Sequence, residues 1–209
     1  MFVNADWPNF EGEFARTSAD VDLDGLEDEV LVFARRAGDG HEGWVRAEFG
    51  NGGVATGRWD GLGFTPAPDA TVHVTGLSAS RGAPTSSEII VPVGEGTSRP
   101  GAATGAWSVM TLVDCQLLTT TFNGEPFQFT SGLNAGLSTI SGCTYDDDRV
   151  QLVVTERDFN GGEWDTETFE LRGRRWQSVD TRNFSNFPTG DGSTYFPLGP
   201  TLSNCDGIS

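Results

Sequence analysis

The sequence predicts an all-β protein, and three observations carry that expectation. The 209 residues include 28 glycines and 10 prolines, a density of turn formers that favours short strands over long helices. Segments such as "WVRAEF" (44–49) alternate, with Val45, Ala47 and Phe49 on one face and Arg46 and Glu48 on the other, the period of a half-buried strand. The stretches "AGDGHEGW", "FGNGGV" and "FNGGEW" carry the Asp-Gly, Asn-Gly and Gly-Gly pairs of tight hairpins.

The elements arrange themselves as three related units. "EDEVLVFARRAGDGHEGWVRAEF" (27–49) matches "DDRVQLVVTERDFNGGEWDTETF" (147–169) without a gap, placing Asp28 on Asp148, Val30 on Val150, Val32 on Leu152, Trp44 on Trp164 and Phe49 on Phe169. With a shorter turn afterwards, Arg58-Trp59 falls on Arg175-Trp176. A weaker copy lies between them, "SEIIVPVGEG" (87–96) matching the first strand and "WSVMTL" (107–112) the second, so that Trp44, Trp107 and Trp164 hold one place in each unit. Each unit, at about 19–65, 76–130 and 140–185, reads as loop, strand, Gly-rich turn, strand, turn and strand. Three strands cannot cover their own apolar face, so the copies are expected to pack around a shared core. One domain over 1–185 with pseudo-threefold character follows, propeller-like or a closed barrel, with a β-sandwich as the alternative. Residues 186–209, rich in Gly and Pro, are expected to lie on the surface as an extended tail.

Composition narrows the function classes. A hydrophobic fraction of 36% and a charged fraction of 21% suit a soluble globular domain. The net charge of −17 would repel nucleic acid and anionic membranes and suits cation binding or solubility outside the cell. All 13 basic residues are arginine. No run approaches the ~18 apolar residues of a membrane span, and "MFVNADWPNFEGEF" has neither the basic start nor the apolar core of a signal peptide. The expectation is therefore that a targeting segment has been removed ahead of Met1. Of the three cysteines, Cys115 and Cys143 read as a disulfide worth roughly 3 kcal/mol, leaving Cys205 unpaired. The alternative is three thiols in a cytosolic protein.

The most specific motif is "DVDLDGLED". Its order, D-x-D-x-D-G-x-x-D, puts carboxylates at Asp20, Asp22, Asp24 and Asp28, with the Leu26 carbonyl between the last two and Gly25 at the sixth place. Calcium takes six to eight hard oxygen ligands, which a wrapped loop supplies from alternating positions, and the glycine permits the sharp turn. Without a cation such carboxylates repel and raise one another's pKa. The alternative is a solvated acidic turn. An EF-hand is excluded because the twelfth position is Leu31, inside an apolar β-type run, where that motif needs a glutamate and a helix.

A loop of this order entering a strand resembles the calcium loops of FG-GAP and VCBS-type repeats in β-propeller blades. The likeness covers about 20 residues of the first unit and, loosely, the three-unit organisation. In the second unit "LSASRGAPTSSE" places Arg81 where Asp24 stands, and in the third "SGCTYDDDR" keeps Asp148 but has Thr144 in that place. A guanidinium in the loop opposes a cation, so calcium is expected in the first unit alone. The segment "LVDCQLLTTTFNGEPFQF", with a cysteine downstream, also resembles uncharacterised secreted proteins or lipoproteins of high-GC Gram-positive bacteria. That resemblance implies a Cys115–Cys143 bridge and a place in the cell envelope or outside it, and it implies no activity.

Catalytic signatures are sparse. His41 falls in a hairpin turn and His73 in the strand "TVHVTG", and there is no G-x-S-x-G elbow, H-E-x-x-H or phosphate-binding loop. The basic cluster "RGRRW" (172–176) makes Arg174, Arg175 and Trp176, together with Trp59, a candidate surface for an anionic partner or a polysaccharide. The competing reading pairs these arginines with Glu167 or Glu170. The tryptophans that recur once per unit read as packing residues, with sugar stacking the alternative. The expectation is thus an extracellular or envelope-associated, calcium-stabilised β-repeat domain that binds or scaffolds a protein or glycan partner without catalysis. Its rivals are a secreted glycan hydrolase using paired carboxylates and a subunit of a surface assembly that self-associates through the tail.

Overall fold

The computed structural model describes residues 10–59, 72–77, 87–96, 104–134, 137–146, 149–158, 164–184 and 205, and they are almost wholly β, as expected. In chain order the strands are β1 (Phe10–Ala19), β2 (Asp28–Ala37), β3 (Gly40–Glu48), β4 (Val54–Arg58), β5 (His73–Thr75), β6 (Glu88–Gly96), β7 (Thr104–Val113) and β8 (Gln116–Thr119). There follow β9 (Thr121–Phe122), β10 (Glu125–Pro126), β11 (Gln128–Asn134), β12 (Leu137–Asp146), β13 (Arg149–Asp158), β14 (Trp164–Arg172) and β15 (Arg175–Phe184).

Strand β7 is where the sheet forks. Along one side it pairs with β6 from Glu88↔Thr111 to Gly96↔Thr104. On the other side Met110–Val113 pair with β8, while Thr104–Ser108 pair with β11. Eight strands in the order β1-β2-β3-β4-β8-β7-β6-β5 form a nearly closed, barrel-like sheet. A second sheet leaves the fork as β11-β12-β13-β14-β15-β9-β10. A threonine and a serine hold the fork together: Thr120 donates both its amide (2.9 Å) and its hydroxyl (2.8 Å) to the Val109 carbonyl. Ser108 Oγ donates to the Phe127 carbonyl at 2.7 Å. Backbone groups that lose ladder partners where a sheet divides are thereby satisfied.

The fork explains why the sequence of β6 and β7 does not alternate. In "EIIVPV", Ile89, Val91 and Val93 enter a core shared with Val30, Val32, Val45 and Leu117, whereas Ile90 enters a second core with Leu152, Phe169 and Trp176. Met110 and Val109 divide in the same way between the two. Strands buried on both faces read as continuous apolar runs. The molecule therefore has two cores, one inside the barrel and one under the second sheet, with β6 and β7 as their common wall.

Two details of the expected repeat change. The gapless match sets Val32 on Leu152 and Phe49 on Phe169, but Val32 faces Val45 whereas Leu152 faces Phe169. The pairing in the third unit is displaced along the strand. A tight turn closes β2 onto β3, with Gly38 left-handed at φ 59° and Ala37 facing Gly40. The last pair of β13 and β14 is Arg157↔Trp164, across a longer connection. Thr144, aligned with Asp24, lies inside β12, and Asp146↔Arg149 closes that hairpin directly. The equivalent loop of the second unit, with Arg81, and residue Asp148 lie outside the described residues.

The disulfide also differs from expectation. Cys143 is bonded to Cys205, and Cys115 is free and exposed. Cys115 follows Asp114 in a two-residue turn between β7 and β8, both with positive φ (62° and 48°), so its side chain is held at the surface. Cys143 points from β12 into the second core, where Cys205 is completely buried. At that residue the C-terminal segment is thus an internal anchor rather than a surface tail.

An ion cluster on the outer face of the second sheet gives a pH prediction. Glu170 accepts from Gln151 Nε2 (3.1 Å), Arg172 Nη2 (3.0 Å) and Arg149 Nη1 (3.2 Å). Burial alone would raise its pKa, but the hydrogen bonds from Gln151 and Arg172 and the charges of Arg149 and Arg172 outweigh it and hold it below the ordinary value. A depressed folded-state pKa stabilises above the unfolded value of about 4.5 and is lost as pH falls through the lower folded value. Both arginines are about half exposed, so solvent screens the pairs and Glu170→Gln should cost about 1 kcal/mol at pH 7. In urea titrations that difference should shrink as the pH falls below about 4.5 and vanish once the carboxyl is protonated in the folded state as well. A difference that persists there would show that packing, not charge, is responsible.

Candidate metal centre

The acidic segment forms the connection from β1 to β2, bounded by the pair Ala19↔Asp28. Two left-handed residues shape it, Leu23 at φ 61° and Gly25 at φ 86°. The conformation is natural for glycine but costs a leucine about 1 kcal/mol, so the rest of the loop must hold it. Asp20 does much of this, accepting the amides of Asp24 at Oδ1 (3.1 Å) and Gly25 at Oδ2 (2.9 Å). Asp24 Oδ1 in turn accepts the Leu26 amide at 2.8 Å.

Asp28 is the structural centre of the site. It is 1% exposed. Its Oδ2 accepts the Val21 amide at 2.7 Å and its Oδ1 the Gly50 amide at 2.8 Å. A buried carboxylate needs such partners, and these tie the loop to the turn between β3 and β4. The fit there is close: a Cβ on Gly50 would stand 2.7 Å from the Leu26 Cβ. Ser87 Oγ, just ahead of β6, donates to the Asp20 carbonyl at 3.2 Å. The loop therefore sits where the rim of the barrel brings the start of β2 close to the start of β6.

Asp20, Asp22 and Asp28 each place a carboxylate oxygen within 4.8 Å of the others. Two oxygens bound to one calcium ion at ~2.4 Å can be at most ~4.8 Å apart, so the three meet the pairwise spacing that a shared ion requires. The donors are hard oxygens, the class calcium prefers. Asp24 is outside this group, its Oδ2 taking a hydrogen bond from Asn51 Nδ2 at 2.9 Å. Leu26 is exposed, with its amide engaged by Asp24. Burial raises the Asp22 carboxyl above its ordinary value, and the charges of Asp28 and Asp24 push the same way. The Asp24 amide and the Asn51 side chain pull it back.

Asn51 is the residue that sequence reasoning missed. Its Nδ2 bridges Asp22 Oδ2 (3.2 Å) and Asp24 Oδ2 (2.9 Å), while its Oδ1 accepts the Gly53 amide at 2.9 Å. The Asn-Gly pair in "FGNGGV" signals a turn and nothing more. That this turn folds over the acidic loop follows from the β2-β3-β4 meander, which brings the two connections to one end of the sheet.

The candidate partner surface of Trp59, Arg174, Arg175 and Trp176 is not a surface at its tryptophans. Trp59 is buried in the barrel core. Trp176 is 3% exposed, stacks on Phe127 at 4.6 Å between ring centroids, and donates Nε1 to Thr120 Oγ1 at 2.8 Å. Arg174 and Arg175 are exposed, and Arg174 Nη2 donates to the Thr119 carbonyl at 3.1 Å. Successive strand residues point to opposite faces, so Arg175 and Trp176 are separated by the sheet itself.

Comparison with protein-family models, curated proteins and solved structures finds no match to this chain. The likeness to FG-GAP and VCBS-type loops accordingly rests on the residues of the β1–β2 connection alone.

Proposed function

We propose that the protein is a calcium-stabilised β-domain of the cell envelope or extracellular space that binds or scaffolds a partner and does not catalyse a reaction. The observation that carries this reading is the convergence of Asp20, Asp22 and Asp28 in a loop of calcium-type spacing. The ion would link the β1–β2 connection to the buried Asp28 and offset the burial and the neighbouring Asp28 and Asp24 charges that raise the Asp22 pKa. Asp24 would complete the set by exchanging Asn51 for the ion. The Cys143–Cys205 bridge is compatible with an oxidising compartment, and the acidic balance of the chain suits a cation-rich exterior.

A glycan hydrolase is the weaker alternative. Sugar-stacking sites need exposed aromatic faces, whereas Trp59, Trp164 and Trp176 are buried and Trp44 and Trp107 are half-buried. For the surface-assembly alternative, exchange of the tail between copies would have to carry Cys205 out of its own core.

Thermal unfolding in calcium and in chelator separates these readings. Calcium at 100 times its dissociation constant should add ~2.7 kcal/mol, and Asp22→Ala with Asp24→Ala should abolish that gain. In chelator the double variant loses both the carboxylate repulsion and the hydrogen bonds to Leu26 and Asn51, so the test is the difference between the two buffers for each protein and not the melting temperature in chelator alone. Identical parent curves in the two buffers would remove the calcium reading.

A further inference from the structure

The β13–β14 hairpin changes character along the face that meets the second core. Leu152 faces Phe169 and both are buried. One step towards the turn Val154 faces Glu167, and one step further Glu156 faces Asp165, both exposed. Here the sheet borders a cavity of about 410 Å³, within the range of small-molecule sites (roughly 300–1,000 Å³). Phe122, Phe127 and Phe169 supply its aromatic floor, and Glu156, Asp165 and Glu167 part of its rim. The floor is fixed by edge-on ring contacts, Phe122 to Phe169 at 5.5 Å and Phe127 to Phe169 at 5.3 Å.

The charge of this cavity is one-sided. Glu125 adds a further carboxylate, and no arginine or histidine is among the described lining residues. Asp165 accepts from Asn183 Nδ2 at 2.8 Å, whereas Glu156 and Glu167 have no ion-pair partner among the described residues. Like charges directly opposite on paired strands repel, and Glu156 and Asp165 stand in that relation. Among the described lining residues nothing carries a positive charge to balance these carboxylates.

We propose that this cavity binds a small organic cation, an ammonium or guanidinium carried on an apolar body. The body would lie against the half-buried ring of Phe122, backed by the buried Phe127 and Phe169, and the charged end would reach the Glu156–Asp165–Glu167 rim. A bare metal ion fits less well. Among the described residues the close convergence of carboxylate oxygens occurs at Asp20, Asp22 and Asp28 and is not repeated here, and an ion would leave the aromatic floor unused. This site lies on the second core, away from the β1–β2 loop, and does not depend on calcium binding there.

Calorimetric titration of the full chain with 2-phenylethylammonium, in chelator, tests the proposal apart from the calcium reading. One site of sub-millimolar affinity is expected. The neutral 2-phenylethanol should bind more weakly by roughly tenfold or more, and phenylacetate should not bind. Glu156→Gln combined with Glu167→Gln should weaken the ammonium by a similar factor while leaving the melting temperature in place. Equal affinity for the ammonium and the alcohol, no binding of the ammonium, or an unchanged affinity in the double variant would each overturn the proposal.

Discussion

Reducing the Cys143–Cys205 bridge is expected to destabilise the fold by about 4 kcal/mol, more than any exposed substitution. The bond spans 62 residues of chain, and closing a loop of that length removes about 4 kcal/mol of entropy from the unfolded state. For a domain of this size the melting temperature should fall by roughly 8–16 °C. Position adds to the effect, because both half-cystines lie in the second core and a serine pair there would bury two hydroxyls. Cys143→Ala with Cys205→Ala is therefore the cleaner variant. Cys115→Ser should leave the melting curve unchanged, since Cys115 is exposed and unbonded. Thiol titration under denaturing but non-reducing conditions should find one group, and three after reduction. A melting curve indifferent to reductant would contradict the assignment.

How far the sequence reaches depends on whether a feature is local. Alternation in β3 and the Gly-rich turns are local, and the strands they announce are present. The acidic loop is local too, and its spacing does bring Asp20, Asp22 and Asp28 together. The work of Asp28 is not local. Its carboxylate is spent on the amides of Val21 and Gly50, and Asn51 arrives from another turn. The fork at β7 is likewise invisible along the chain, because it depends on which strands meet its two halves. Only the unbroken apolar runs of β6 and β7 hint at burial on both faces.

The cysteine pairing shows the limit most clearly. The sequence reading pairs Cys115 with Cys143, but pairing is decided by side-chain direction. A two-residue turn with positive φ at both positions holds Cys115 outward, while the strand pleat turns Cys143 inward, to where Cys205 is buried. The burial of Trp176 could have been read from the sequence: it follows Arg175 in a strand and strand neighbours point to opposite faces, which the expected surface joining the two overlooks.

Gly57→Ala is expected to cost about 3 kcal/mol or more, through the junction that joins the two halves of the barrel sheet. β4 and β8 run parallel and share the single pair Thr56↔Gln116, so this contact has no long ladder to hold it. A Cβ on Gly57 would lie 1.9 Å from the Leu117 carbonyl oxygen and 2.7 Å from the Met110 terminal methyl. The methionine can swing aside, but the carbonyl is backbone, so the strands must part. Parting them exposes Ala55 and Leu117, both buried in the barrel core, and uncouples the β1–β4 meander from β7. Gly40→Ala provides the control: its added methyl would meet nothing closer than the Ala37 carbonyl at 3.9 Å. Urea unfolding of the two variants should therefore differ by at least about 2 kcal/mol, with Gly40→Ala close to the parent. Hydrogen exchange in the Gly57 variant should accelerate first at β4 and β8. Equal stabilities, or faster exchange confined to β13–β15, would mean that the β4–β8 contact does not hold the two halves of the barrel together.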